Sequence, residues 1–545
     1  MRFSGIRSKQ AGIAVAAVLF VLLLGISPQV LAFTNGQAAT TVIGQANLTS
    51  GSSNAGQGAT PVAYGVSYAL GIVFDSHGDL WVADSSNSRV LEFVPGSSGC
   101  PANTLCTGMS ASLVLGHKTF TANAPNEGGT TNASGLSDPW ALAFDSHGNL
   151  WVDDAGNQRI LEFTTPFSTG EAASVVVGQS TMTGNMANDG AGVCEDCTNG
   201  AGFSAPQGIA FDSSGDLWVS DRGNLRVVEF IPGTSGCPAG QLCTGMTGSI
   251  VIGQPNLDSG SIQSEAANTL FDPVGVAFAP NGNLWVLDGD NNRILMFPTP
   301  LSTDESATVV LSQPTFTSHS GGLCNPSTLN ATAICASSGI AIDSSGDVWV
   351  SDPYNNRIQE WVPGTSGCPA NQFCTDMAAT TVIGQASMTT TGAAGLSSTG
   401  LHDPYGLAFD SGGNLWVADS DNSRILEFQA SGSSTTSSSS SSSSSSTTSS
   451  SSTTSSSSTS TSSSSAAGPV CPSTFGGNLM PPGATFTDGF GNVWVAPSGH
   501  LGIGTWSSYF FAGPASVIPA PMLQGWGGVY GTYNGQQGWI ITFFC

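Results

Sequence analysis

GIVFDSHGDLWVADSSNSRVLEF, from Gly71 to Phe93, returns at Gly406 as GLAFDSGGNLWVADSDNSRILEF, with four further copies between them. Marked by the Asp that closes each LWVxD-type run, the copies fall at Asp84, Asp154, Asp221, Asp288, Asp352 and Asp419, spaced by 70, 67, 67, 64 and 67 residues. Self-similarity at a fixed period signals a repeat architecture, because each unit buries its apolar face only against its neighbours. Within a copy, GIVFD, LWVAD and RVLEF are rich in the β-branched and aromatic residues that suit a pleated, half-buried surface, and they read as three antiparallel strands. SHGD, SSGD or PNGN joins the first two, with Gly supplying the positive φ of a tight hairpin.

A fourth apolar run keeps the same period: VIGQ at Val42, VLGH at Val114, VVGQ at Val176, VIGQ at Val251, VLSQ at Val310 and VIGQ at Val382. Four strands per unit make a propeller blade. The first VIGQ precedes the first three-strand set and none follows the last, so residues 42–45 are expected to supply the outer strand of blade six and close the ring, which removes an exposed edge. The fold class is therefore all-β, a closed six-bladed β-propeller, with a small β-rich domain after it.

The consensus G-[IVL]-A-F-D-x-x-G-[DN]-L-W-V-x-D-x-x-N-x-R-[IV]-L-E-F resembles the NHL repeat over residues 40–429. The units are longer than the ~40–50 residues usual for propeller repeats. The resemblance implies a six-bladed ring and often a ligand-binding face, but no single function. Peptidylglycine amidating lyase is similar in fold and sugar lactonases are so more distantly; such activities would need His and carboxylate metal ligands on one face.

The ends and the composition set the context. Arg2, Arg7 and Lys9 precede an apolar stretch over residues 11–26, and Val30-Leu31-Ala32 has the form of a cleavage site, so residues 1–32 read as a signal peptide, with an uncleaved membrane anchor as the alternative. The propeller is expected over 33–430, a Ser/Thr-rich spacer that cannot bury enough apolar surface to fold over 431–469, and a small disulfide-closed β-rich domain over 470–545. Twelve Cys in an exported chain read as six disulfides. Proximity and recurrence pair Cys100 with Cys106, Cys194 with Cys197, Cys237 with Cys243, Cys324 with Cys335 and Cys368 with Cys374, leaving Cys471 with Cys545. Sequons stand at Asn47, Asn132 and Asn330. The net charge is −25 with 11 Lys and Arg, which argues against a nucleic-acid partner, since phosphate binding needs clustered basic residues.

Charged residues at each strand turn invite a catalytic reading of Asp84, Asn87 and Arg89 and their copies Asp154, Asn157, Arg159; Asp221, Asn224, Arg226; Asp288, Asn291, Arg293; Asp352, Asn355, Arg357; and Asp419, Asn422, Arg424. A set that occurs six times is better read as structural, because an active site is needed once. The cysteine loops alternate with FTTPFSTGE and FPTPLSTDE, which divides the ring into three tandem pairs. Even blades carry Asp138, Asp272 and Asp403 before the inner-strand Pro, where odd blades have Tyr68, Ala205 and Ala336. Three carboxylates near the axis, with His402 beside one of them, could hold Ca²⁺; the plainer reading is that Asp before Pro starts a turn.

His77 and His147 read as solvated turn residues, and CEDC at Cys194 as a loop disulfide rather than half of a zinc site. Long Gly, Ser, Thr and Asn-rich connections such as 46–70 and 180–207 emerge on one face, where recognition usually sits. Trp506, Trp526, Tyr530 and Trp539 offer rings on which a ligand could stack, or a small core. Together these features point to a secreted or cell-surface scaffold that binds an extracellular glycan or protein, with a metal-dependent lyase or hydrolase working through the central channel, or a structural envelope component, as alternatives.

Overall fold

The computed structural model describes residues 32–191, 198–318, 329–392 and 395–431, together with the backbone of five strands between Thr485 and Phe544. The chain divides into two compact units, Met1–Ser438 and Ser439–Cys545. In the first, six four-stranded antiparallel sheets follow one another, with inner strands Ala69–Phe74, Pro139–Phe144, Pro206–Phe211, Pro273–Phe278, Ile340–Ile342 and Pro404–Phe409. The sixth sheet takes its outer strand from Thr41–Ile43, with Thr41 opposite Glu427 and Ile43 opposite Ile425, so the ring closes as expected.

The second strand of every blade is buried along its whole length, because blades stack face to face and cover both of its sides. Its Trp meets the Phe that ends the inner strand of the next blade. Trp81–Phe144, Trp151–Phe211, Trp218–Phe278, Trp349–Phe409 and Trp416–Phe74 are edge-to-face pairs with centroids 5.7–5.9 Å apart. Such pairs add about 0.5–1.5 kcal/mol each beyond the area they bury. In blade four Trp285 lies in one cluster with Ile342, the residue that blade five has in place of Phe. A second ring covers several of these tryptophans from the loop after the third strand, with Phe167 4.8 Å from Trp81 and Phe373 4.8 Å from Trp285. Trp349 receives the same cover from Phe33, at 4.9 Å.

On the axis each inner strand except that of blade two has a glycine at the point of closest approach. A Cβ on Gly71, Gly208, Gly339 or Gly406 would run into the carbonyl oxygen of Trp140, Val274, Tyr405 or Leu70 of the following blade. The cavity these strands leave is about 110 Å³.

Disulfides Cys100–Cys106, Cys237–Cys243 and Cys368–Cys374 close the loops after the third strands of blades one, three and five. Cys335 is also disulfide-bonded. Cys194, Cys197, Cys324, Cys471 and Cys545 lie outside the described residues, as do residues 1–31 and most of the spacer and C-terminal region. In the second unit, strands Thr485–Thr487, Val493–Val495, Trp506–Phe511, Gln536–Phe544 and Val529–Tyr533 lie side by side in that order in one antiparallel sheet.

Two positions in each blade adopt the left-handed conformation. The residues before the inner strands, Tyr68, Asp138, Ala205, Asp272, Ala336 and Asp403, have φ of 49–63°, and those before the motif arginines, Ser88, Gln158, Leu225, Asn292, Asn356 and Ser423, have φ of 48–58°. The second position is also a cross-blade link. Asn292 Oδ1 accepts from the Ala336 amide and Asn356 Oδ1 from the Asp403 amide, both at 2.9 Å, and Gln158 Oε1 accepts from Ala205. Leu225 combines the conformation with a side chain that offers no acceptor. Because a left-handed non-glycine residue costs about 1–2 kcal/mol and Asn tolerates it best, Leu225→Asn is expected to stabilise the propeller by about 1 kcal/mol, read as a higher midpoint in thermal or urea unfolding.

Candidate functional site

The Asp, Asn and Arg of the repeat motif converge in all six blades, at full burial for Asp and Arg. In blade two, Asp154 Oδ2 accepts from Asn157 Nδ2 at 2.8 Å and from Arg159 Nε at 2.7 Å, while Oδ1 accepts from the Ser137 amide at 2.7 Å. The rest of the guanidinium donates to backbone: Nη1 to Met182 at 2.6 Å, and Nη2 to Asn132 and Gly135 at 2.9 and 3.0 Å. Arg89 with Asp84, Arg226 with Asp221, Arg293 with Asp288, Arg357 with Asp352 and Arg424 with Asp419 repeat the ion pair at 2.6–2.8 Å. Asn87, Asn224, Asn291, Asn355 and Asn422 repeat the amide contact at 2.7–3.0 Å. Burial pushes each of these carboxyls up, and the guanidinium and the N–H donors pull it back down.

Each Arg therefore ties the loop before the inner strand of its blade to the segment after the outer strand. Arg424, for example, reaches Gly400 and, across the ring closure, Leu48. The Gln of VIGQ joins the same knot. Gln45, Gln179, Gln254, Gln313 and Gln385 donate to the carbonyls of Ser423, Gln158, Leu225, Asn292 and Asn356, the left-handed residues just described. In blade one His117 Nε2 lies 3.0 Å from the Asn87 carbonyl instead.

The axial carboxylates each have a different environment. Asp272 is ion-paired with Arg222 at 2.6 Å, Asp403 accepts from the Tyr68 hydroxyl at 3.1 Å, Asp138 is exposed, and His402 faces Asp421 at 3.5 Å. Among the described residues the clusters of three potential ligand atoms within 4.8 Å of one another lie elsewhere and include none of these four. The cavity on the axis is also smaller than the ~300–1,000 Å³ of most small-molecule sites. Tyr405 and Trp140 line it, with ring centroids 6.1 Å apart, and Tyr68 packs on Tyr405 at 5.8 Å. His77 and His147 are exposed turn residues beside Asp75 and Asp145. Trp506, Tyr530 and Trp539 fall on strands of the second unit, and Trp526 lies outside the described residues.

The roomier feature lies off the axis. A cleft of about 1060 Å³ opens between the hairpin turn of blade two and the disulfide loop of blade three. Asp145, Asn149, Glu162, Asp216 and Gln241 provide its carboxylates and amides, Ser146, Thr164, Ser174 and Ser214 its hydroxyls, and Phe211, Ile231 and Leu242 an apolar floor. Glu162 is held in place, accepting from Ser174 Oγ at 2.6 Å and Asn149 Nδ2 at 3.0 Å, and burial pushes its carboxyl up. These residues were legible as the D-x-x-G-[DN] turn and the Glu of the third strand, but only the ring places blade two beside the loop of blade three.

One buried carboxyl has no such support. Asp153, on the second strand of blade two, is fully buried and neither oxygen has a hydrogen-bond partner, and burial with Asp154 and Asp138 nearby pushes it well above the usual carboxylate range. The same position in blades three and five is Ser220, which donates to the Val274 carbonyl at 2.8 Å, and Ser351, which accepts from the Gly339 amide at 2.6 Å.

The NHL repeat family matches residues 67–93, 203–230, 272–297, 338–361 and 401–428, five of the six blades, and blade two carries the same buried network. The fold and network define a repeat propeller, and the chain is an NHL-repeat β-propeller. No curated protein matches it. It is similar in fold to virginiamycin B lyase of Staphylococcus aureus, with 15% identity over 68% of this chain and 86% of that one and a TM-score of 0.35. An auxiliary nutrient binding protein of Bacteroides thetaiotaomicron gives 13% identity over 73% and 78%, with a TM-score of 0.41. A gluconolactonase of Xanthomonas campestris gives 13% over 71% and 98%, with a TM-score of 0.36. Likeness at this level carries nothing about activity.

Two substitutions separate these roles. Arg159→Ala leaves Asp154 buried without its cation and frees three loop carbonyls, so it is expected to cost about 3–5 kcal/mol in chemical unfolding. Asp153 has the opposite sign. Its folded-state proton affinity exceeds that of the unfolded chain, so it favours the folded state below the ordinary carboxylate range and loses that contribution as pH rises. Asp153→Ser is expected to stabilise the protein by about 1–3 kcal/mol at neutral pH and to change little at pH ~4, checked by unfolding midpoints across pH.

Proposed function

We propose that this is an exported NHL propeller acting as a non-catalytic recognition scaffold, and that the cleft between blades two and three takes a glycan. The observation that supports this is the cleft itself. Planar carboxylate and amide groups and several hydroxyls surround an apolar floor that includes Phe211, the pairing of hydrogen-bond edges and flat apolar faces that a sugar ring presents in return. Its volume accommodates an oligosaccharide. The three loop disulfides support an oxidising compartment outside the cytoplasm, and the scarcity of Lys and Arg favours a neutral partner over a polyanion.

A neutral and acidic oligosaccharide array, followed by calorimetry on the best binder, tests the reading. Gln241 is exposed and its side chain makes no hydrogen bond in the fold, so Gln241→Ala is expected to leave stability unchanged and to weaken binding by about tenfold, the equivalent of one good hydrogen bond. An array without binders, or a binder indifferent to Gln241→Ala, removes the cleft from consideration as the glycan site.

A further inference from the structure

The hairpin turns carry a second pattern that alternates round the ring. In blade two, Asn149 Nδ2 donates to Asp145 Oδ2 and Glu162 Oε1, both at 3.0 Å, so an amide nitrogen sits between the turn carboxylate and the third-strand carboxylate. Blade six keeps the bond from Asn414 to Asp410 at 2.9 Å, and blade four has Ala279 and Met296 around Asn283, with no carboxylate at all. In blades one, three and five an Asp takes the place of that Asn: Asp79, Asp216 and Asp347. The bridging donor is gone and a third carboxylate stands in its position.

The consequence is sharpest in blade three. Ligand atoms of Asp212, Asp216 and Glu229 lie within 4.8 Å of one another, which is about twice a Ca²⁺–oxygen distance, so one ion can touch all three. Glu229 is only 5% exposed, and its Oε2 is buried without a hydrogen-bond partner. Trp218 Nε1 is likewise buried and unpartnered, whereas in blades two and six the equivalent indole donates to the turn Asp at 3.2 and 3.1 Å. None of the three carboxylates is ion-paired with Lys or Arg. Asp212 and Asp216 are half-buried, and Asp212 Oδ1 already accepts the Ser214 and Asp216 amides at 2.8 and 3.0 Å, but the buried Glu229 oxygen has neither a donor nor a cation beside it and lacks the compensation that buried charge requires.

We propose that Asp212, Asp216 and Glu229 bind a calcium ion in the hairpin of blade three. The all-oxygen donor set suits a hard cation and offers none of the nitrogen or sulfur that zinc prefers. Asp343, Asp347 and Glu360 repeat the arrangement in blade five, whereas in blade one Asp75 and Asp79 cluster with the exposed His77 in place of the third-strand Glu. Without the ion, burial and the two aspartates hold Glu229 up to about 7, and the proton then stands where the cation would. This inference is independent of the glycan reading, although Asp216 also borders the cleft.

The test uses purified protein stripped with chelator at pH ~7.5 and titrated with Tb³⁺, whose emission Trp218 sensitises at short range, and then with Ca²⁺ alone by calorimetry. Saturable Tb³⁺ emission displaced by Ca²⁺ is expected, together with a rise in melting temperature on adding Ca²⁺. Asp216→Asn imports the residue that blades two, four and six already hold, so it folds, and it is expected to remove one bound equivalent and lower the emission. Glu229→Gln is a second variant with the same expected loss. Absence of saturable binding overturns the proposal, as does binding unchanged in both variants, or a protein stabilised by acid alone and not by Ca²⁺.

Discussion

A guanidinium buried to zero exposure against a buried aspartate is the interaction on which the ring depends. Burying two charges is expensive, and the cost is offset only where the geometry is good and the remaining donors are satisfied. Here they are. Nε serves the aspartate, and the terminal nitrogens serve carbonyls from two different inter-blade connections. The aspartate in turn holds the amide at the entry to the inner strand and the Asn of the turn. One pair thus fixes a turn, a strand start and two loops, and six pairs do so round the ring. Six of the nine arginines in the sequence are spent this way.

That economy explains how long, Gly and Ser-rich connections can be ordered. Composition alone marks them as loops free to serve recognition, yet their ends are pinned at carbonyls such as Val62, Gly65 and Leu48. The VIGQ glutamines add a bond from the outer strand to the left-handed residue of each turn, so the strained conformation is held from two sides. Blade three, with Leu225 at that place, has the conformation without the acceptor its neighbours use.

Close packing on the axis moves the chemistry outward. Glycines let most inner strands approach the carbonyls of the next blade, and what remains at the centre is small. The hairpin turns then become the place where polar side chains gather around space. Their odd and even blades differ by an Asn-to-Asp exchange, which in blade three puts a third carboxylate where blade two has a bridging amide. In a chain of net charge −25 with so few basic residues, such carboxylates have little but protons or cations to balance them.

The six-fold repeat, the four strands of each blade and the closure of the ring through Val42 followed from the sequence alone, because strand period, turn chemistry and repeat order are local properties that survive without coordinates. The exchange of Asp216 and Asp347 against Asn149 and Asn414 is written in the sequence too, but as one [DN] position of the repeat it carries no meaning until the third-strand Glu is placed beside it. Tertiary structure decided the rest. Which residues share a cleft depends on the packing of blade two against blade three, and whether Asp138, Asp272 and Asp403 meet depends on the radius of the ring, which glycine contacts and aromatic pairs set. Placement near a symmetry axis names residues that could converge. The neighbours these residues take in the fold, Arg222 for Asp272 and Tyr68 for Asp403, are not legible from that placement.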